Sequence, residues 1–264
     1  MGTQIGMELT PALRRQVQKL PPWLIEKVPR DHRETDQAFR RRRKIVAGVS
    51  VLGSGFLGLA LSTKPGSRAF IGATLGVAGT WLVGGFASGP LHRGWMERQH
   101  GQDGLQRPVV TPIATGAVAF AGFYGGALVA RQIPPLDRAL RNILAFADAG
   151  SGPLVLFTTL ANGIGEEIFF RGALYAALGD KHPVALSTAV YTLSVTTSRN
   201  PALVLAAGFM GTLFGLQRRA SGGLQASTLT HLTWASLMLR FLPPLFQEPH
   251  HTAGRLGIGK ALPR

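Results

Sequence analysis

This chain predicts an all-α membrane protein: a polytopic bundle of about seven transmembrane helices (six to eight) behind a basic cytoplasmic N-terminal segment. Three observations carry that prediction. Between Lys44 and Lys64, Arg68 and Arg93, and Arg107 and Arg131 the chain holds no Lys, Arg, Asp or Glu. Charge-free runs of roughly 17–25 residues are long enough to cross a hydrocarbon core as helices. Charged residues make up only 16% of the 264 and are clustered, unlike the dispersed charge of a soluble domain. Glycine is abundant, at 34 residues, and small residues let helices approach closely where lipid supplies no hydrophobic drive. Gly72/Gly76, Gly85/Gly89, Gly122/Gly126 and Gly211/Gly215 all have small-xxx-small spacing.

Taken in order, residues 1–44 form the cytoplasmic basic and amphipathic segment. Leu9, Leu13, Val17 and Leu20 share a helical face, as in an interfacial helix that Pro21-Pro22 ends, and the stretch to Lys44 reads as a loose linker. Residues 45–148 carry the N-terminal membrane helices at 45–63, 69–91 and 109–130. Arg131–Asp148, with Pro134-Pro135 and mixed charge, reads as a surface connection. Residues 149–245 form a membrane core with spans at 150–170, 183–198, 201–217 and 222–242. The piece at 172–181 either prolongs the fourth span or re-enters. Residues 246–264 are a polar tail, and its His250-His251 is assigned no metal.

The start, Met1-Gly-Thr-Gln, has no signal-peptide pattern, so insertion is expected to begin with the first internal span. With no Cys, disulfides and thiolate chemistry are excluded. The net charge of +15 invites a nucleic-acid role. However, the run Arg40, Arg41, Arg42, Arg43 and Lys44 abuts the first apolar span, so it reads as a positive-inside anchor that binds anionic lipid of the bilayer. That places the N-terminus in the cytoplasm, with the plasma (inner) membrane as the expected location. Trp81, Trp95, Trp234 and Tyr124 are taken as interface or packing residues.

The chemistry is concentrated in Gly165-Glu-Glu-Ile-Phe-Phe-Arg171-Gly172. Ionisable groups at membrane depth are costly and usually mark function. Glu167 and Arg171 stand four apart, so one helical face pairs them. Glu166 lies about 100° around and aligns with Phe170. The two acids are therefore unequal, a common way to produce a general base. His231 is the next unusual residue, since no other ionisable group occurs between Arg219 and Arg240. It and Glu166 are expected to line one cavity open to the cytoplasm.

Here the chain resembles the CPBP family of membrane proteases, which includes the CAAX prenyl endopeptidases and bacteriocin-immunity proteins. The family's Glu-Glu-x-x-x-Arg motif is matched by Glu166, Glu167 and Arg171, and its membrane His by His231 in Ser227-Thr-Leu-Thr-His231. The resemblance spans about residues 150–245. It implies an intramembrane endopeptidase acting on a membrane-associated peptide or protein. Glu166 would be the general base on water, Glu167 and Arg171 its organisers, and His231 a donor to the oxyanion. Two positions depart from the pattern. Val195 stands where the second motif, Phe-x-x-x-His, has its His, and Ala235 where the third has an Asn. His182, Tyr191, Thr192 and Ser194 are the candidates to replace the lost group.

Zinc is the candidate cofactor, with Glu166 and His231 the candidate ligands and Glu167 a third. Against it, no His-Glu-x-x-His helix is present and Arg171 competes for one carboxylate. Two other roles stay open: an inactive scaffold that binds or protects a membrane partner, and a small transporter using both acids as proton sites.

Overall fold

The computed structural model describes residues 34–97, 104–149 and 152–246. The interfacial helix expected around Leu9–Leu20 and the tail beyond Phe246 lie outside these described residues. Helix α1 runs from Asp36 to Ser62. The Thr35 side chain caps it by accepting from Ala38 N at 3.2 Å, and Asp36 favours its positive end. The helix thus begins well before the apolar run. Arg40–Lys44, expected to belong to a loose linker, is its second turn, because a cap followed by good helix formers needs no apolar residue to start.

One cation of that run does not face lipid. Arg42 is 1% exposed, while Arg40, Arg41, Arg43 and Lys44 are exposed. Its guanidinium pairs with Glu34, donates to Ser88 Oγ at 3.3 Å and approaches the Pro90 carbonyl at 3.4 Å. It therefore sits at the C-terminus of α2 (Arg68–Ser88), where a helix favours positive charge. Gly89, at φ 140°, leaves room there: a Cβ would come within 2.5 Å of the Arg42 Nη2.

Helices α1 and α2 pack antiparallel through glycines. A Cβ on Gly53 would meet the Trp81 ring at 2.3 Å, and one on Gly84 would meet Val49 at 2.5 Å. Gly85 and Gly211/Gly215 are likewise in tight contact, whereas Gly122 and Gly126 have nothing within 4 Å of a built Cβ. Among the described residues, the Gly122/Gly126 spacing therefore meets no close neighbour.

Helix α3 (Val110–Ala130) is followed by α4 (Pro134–Asp148). The stretch read as a surface connection is thus mostly helical. Pro134-Pro135 stands in its first turn, where a missing N–H costs nothing. Its apolar side, with Ala139 and Leu144 buried, lies on the bundle, and Arg141 donates to the Phe246 carbonyl at 2.6 Å. The fourth span is α5 (Gly152–Glu166), continued by a π-helical segment (Glu167–Leu174) and α6 (Tyr175–Leu178). Residues 172–178 therefore prolong it, until Gly179 at φ 68° ends the helix. Helices α7 (Pro183–Thr196), α8 (Pro201–Ser221) and α9 (Gln225–Phe241) complete the core.

Helices stand at all seven expected places, but among the described residues three are long and apolar enough to cross a membrane: α1, α2 and α3. Counting Pro134–Asp148 with Gly152–Leu178 as one broken span makes four. The α7 helix, at 14 residues, is only about 21 Å long. The α8 helix ends in Gln217, Arg218 and Arg219. The outside is nonetheless apolar, with Val51, Val83, Val118 and Phe209 at 70% exposure or more. A surface of that kind suits lipid rather than water.

The extended loop before β1 (Met96–Glu97), which pairs antiparallel with β2 (Leu105–Gln106), fixes the start of α9. His92 and Arg93 carbonyls accept from Leu224 and Gln225 N–H at 2.8 and 3.0 Å, satisfying donors that a helix start leaves free. Gly223 allows the approach, since a Cβ would fall 2.0 Å from Gly94 N. Gly223→Ala is expected to force that loop away, at a cost of about 1–3 kcal/mol or more. Thermal unfolding in detergent would show it as a lowered midpoint, and an unchanged midpoint would contradict the packing.

Candidate functional site

The two acids sit at a change of helix type. Glu166 is the last residue of α5 and Glu167 the first of the π-helical segment. Such wide turns are rare and occur often at functional sites. The Tyr175 N–H bonds to the Phe170 and Gly172 carbonyls and skips that of Arg171. Arg218 Nε from α8 supplies that carbonyl's donor at 2.6 Å.

Glu167 is wholly buried and doubly engaged. Its Oε1 lies 3.3 Å from Arg171 Nη1 and 3.1 Å from His231 Nδ1 on α9. Arg171, 1% exposed, donates from Nη2 to the Gly211 carbonyl at 3.3 Å. Its guanidinium lies 4.5 Å from the Tyr191 ring centre and 5.0 Å from that of Phe214. Phe214 in turn stacks on His231 at 4.8 Å and 21°. The imidazole is thus fixed by an acid at one nitrogen and a ring at its face. Its other nitrogen, Nε2, lies toward α5, 3.7 Å from where a Gly163 Cβ would stand.

Glu166 is different. It is partly accessible, and its Oε2 accepts a 2.7 Å hydrogen bond from the Tyr191 hydroxyl on α7. Phe170 meets the same Tyr191 edge-on at 4.8 Å, so Glu166 and Phe170 do share a face, as their spacing implied. Glu166 also lies within electrostatic reach of His231, Glu167 and Arg171. The direct partner of His231, however, is Glu167. An open cavity of about 810 Å³ is lined by Arg43, Val46, Leu174, Lys181 and Val190, and none of the four expected site residues lines it.

Of the four candidates to replace the lost motif His, Tyr191 bonds to a site carboxylate. Ser194 Oγ donates to the Val190 carbonyl at 2.9 Å, and His182 is an exposed N-cap at φ 52°. Thr192 Oγ1 faces Gly208, 4.0 Å from a built Cβ. Val195 and Ala235 are both 8% exposed, Val195 within the apolar core with Phe169 and Phe170. Among the described residues no group of three or more His, Cys, Asp or Glu could hold a metal, and Glu167 is already engaged by Arg171 and His231.

Residues 149–237 match the family model described as Type II CAAX prenyl endopeptidase Rce1-like. This segment belongs to the CPBP family. No curated protein and no solved structure matches the chain. The Rce1-like domain spans α5 through most of α9 and so contains Glu166, Glu167, Arg171, Tyr191 and His231. The chain is an integral membrane protein by that match and by its apolar helices. Helices outside the domain still wall it, since Trp81 of α2 stacks on Phe169 at 4.6 Å and Ile168 fills the space at Gly85.

Arg218 was not foreseen. Beside Arg219 it reads as part of a basic connection, yet it is 1% exposed while Arg219 is exposed. Nothing in the sequence separates the two. Arg218→Met keeps most of the stem and removes the donor, leaving a buried carbonyl without its partner. A loss of about 1–3 kcal/mol is expected, read as a lower unfolding midpoint in detergent. No loss would show that the π-helical segment does not depend on this bond.

Proposed function

We propose that the Rce1-like domain is an intramembrane endopeptidase that hydrolyses a peptide bond of a membrane-associated substrate, with Glu166 as general base on water. One observation carries this: of two adjacent acids, Glu167 is buried and paired through Oε1 with Arg171 and His231, while Glu166 keeps access and, among the described residues, an Oε1 with no hydrogen bond. Water loses a proton to Glu166, and the hydroxide oxygen bonds to the scissile carbonyl carbon. His231 Nε2–H donates to the resulting oxyanion. As the C–N bond breaks, Glu166 returns its proton to the leaving nitrogen. One water is consumed, and an acid and an amine are formed.

Position supports His231 as that donor: Glu167 holds its Nδ1, and its Nε2 lies toward α5, the helix that ends in Glu166. When Glu166 takes a proton, its negative charge passes to the oxyanion.

The exposed Arg40, Arg41, Arg43 and Lys44 support a cytoplasmic N-terminus meeting anionic headgroups of the plasma (inner) membrane, with Arg42 withdrawn from that role. A second reading, a binding or protective scaffold without turnover, is favoured by the apolar Val195 and Ala235. Its mark would be a phenotype that survives Glu166→Gln and fails when Gly211 is enlarged. The test of the first reading is cleavage of a membrane-anchored peptide library by purified protein in vesicles, beside Glu166→Ala. Products formed by the parent alone support hydrolysis, and equal products from both defeat it.

A further inference from the structure

We infer that Tyr191 is a positioning residue for Glu166, its phenol holding Oε2 so that Oε1 is aimed at the reacting water. This rests on the reading of Glu166 as the base. The hydroxyl donates to Glu166 Oε2 at 2.7 Å, and the phenol is the side-chain partner of that carboxylate among the described hydrogen bonds.

The ring that carries the hydroxyl is held on three sides. Phe170 meets it edge-on at 4.8 Å, and the Arg171 guanidinium lies 4.5 Å from its centre. On the third side α8 approaches so closely that a Cβ on Gly211 would stand 3.1 Å from Tyr191 Cδ1. With the ring 7% exposed and so confined, its oxygen has one position. A carboxylate on a helix otherwise turns freely about its last bond, and a base aimed in many directions loses effective concentration at the water. A fixed donor at one oxygen removes that freedom without taking the proton-accepting lone pairs of the other.

Position 195 offers no nitrogen to Glu166. Val195, one helical turn beyond Tyr191, is packed in the apolar core. The ordering of Glu166 therefore comes from the residue a turn earlier, through an oxygen.

Tyr191→Phe deletes the hydroxyl alone and retains all three ring contacts. In vesicles with a membrane-anchored peptide that the parent cleaves, kcat is expected to fall about 10- to 100-fold, with KM changed less than about twofold. Carboxylate infrared bands give a reading without turnover. The band assigned to Glu166 by its loss in Glu166→Gln is expected to shift in Tyr191→Phe. An unshifted band, or a Tyr191→Phe chain cleaving at the parent rate beside an inactive Glu166→Gln, overturns the role of Tyr191. A parent that cleaves nothing while the band still shifts overturns the hydrolase reading instead, and with it any catalytic purpose for the contact.

Discussion

Arg171→Met is expected to be among the most destabilising single substitutions in the chain, costing about 3–5 kcal/mol, because it strands a buried carboxylate. Glu167 is 0% exposed and sits 3.3 Å from the guanidinium. Without that cation it keeps only the imidazole as a charged partner, and α8 loses the Nη2 bond to Gly211. The double variant Arg171→Met/Glu167→Gln should recover part of the loss, since removing both charges leaves less unpaired than removing one. Arg171→Lys should fall between, because an ammonium cannot span Glu167 and the Gly211 carbonyl with a planar fork. Unfolding midpoints in detergent for the parent, Arg171→Met, Glu167→Gln and the double variant form a cycle. Strictly additive losses would show that Glu167 and Arg171 do not depend on each other.

Glu166→Gln has the second large effect, on rate rather than on stability. Loss of a positioned general base typically lowers turnover by about 10²–10⁴-fold. The amide is nearly the same size and can still accept from Tyr191, so the fold should change by about 1 kcal/mol or less. Initial cleavage rates with the membrane-anchored peptide check this. Wild-type turnover in Glu166→Gln would remove Glu166 from the reaction.

Much of the site could be read from spacing, and the failures have identifiable causes. Four-residue spacing correctly put Arg171 beside Glu167, and Glu166 on the face of Phe170. The lone imidazole in an apolar stretch, His231, meets one of the two acids, Glu167. Which acid it meets depends on how α9 is rotated against α5. That rotation is set by contacts such as Gly116 against Thr233 and the loop carbonyls at Leu224 and Gln225, none of them visible in a local pattern. The π-helical turn is likewise tertiary, because the carbonyl it leaves is served by Arg218 from forty-seven residues further along.

The fold shows the same division. Charge-free runs gave the long helices α1 to α3, since length and apolarity are local properties. Arg131–Asp148, read as a surface connection, is mostly helical, because two prolines in a first turn are compatible with a helix. Arg42 reads identically to its four neighbours, and only the position of the α2 C-terminus turns it inward. Gly122/Gly126 shows the converse, a packing signal with no close neighbour among the described residues.

The division of labour between the two acids is tested most directly by Glu166→Gln and Glu167→Gln side by side, with cleavage and unfolding midpoint measured on the same vesicle preparations. Glu166→Gln should lose cleavage at an unchanged midpoint, while Glu167→Gln should lose both. Cleavage retained in Glu166→Gln, or a midpoint that falls in that chain and not in Glu167→Gln, would contradict the account.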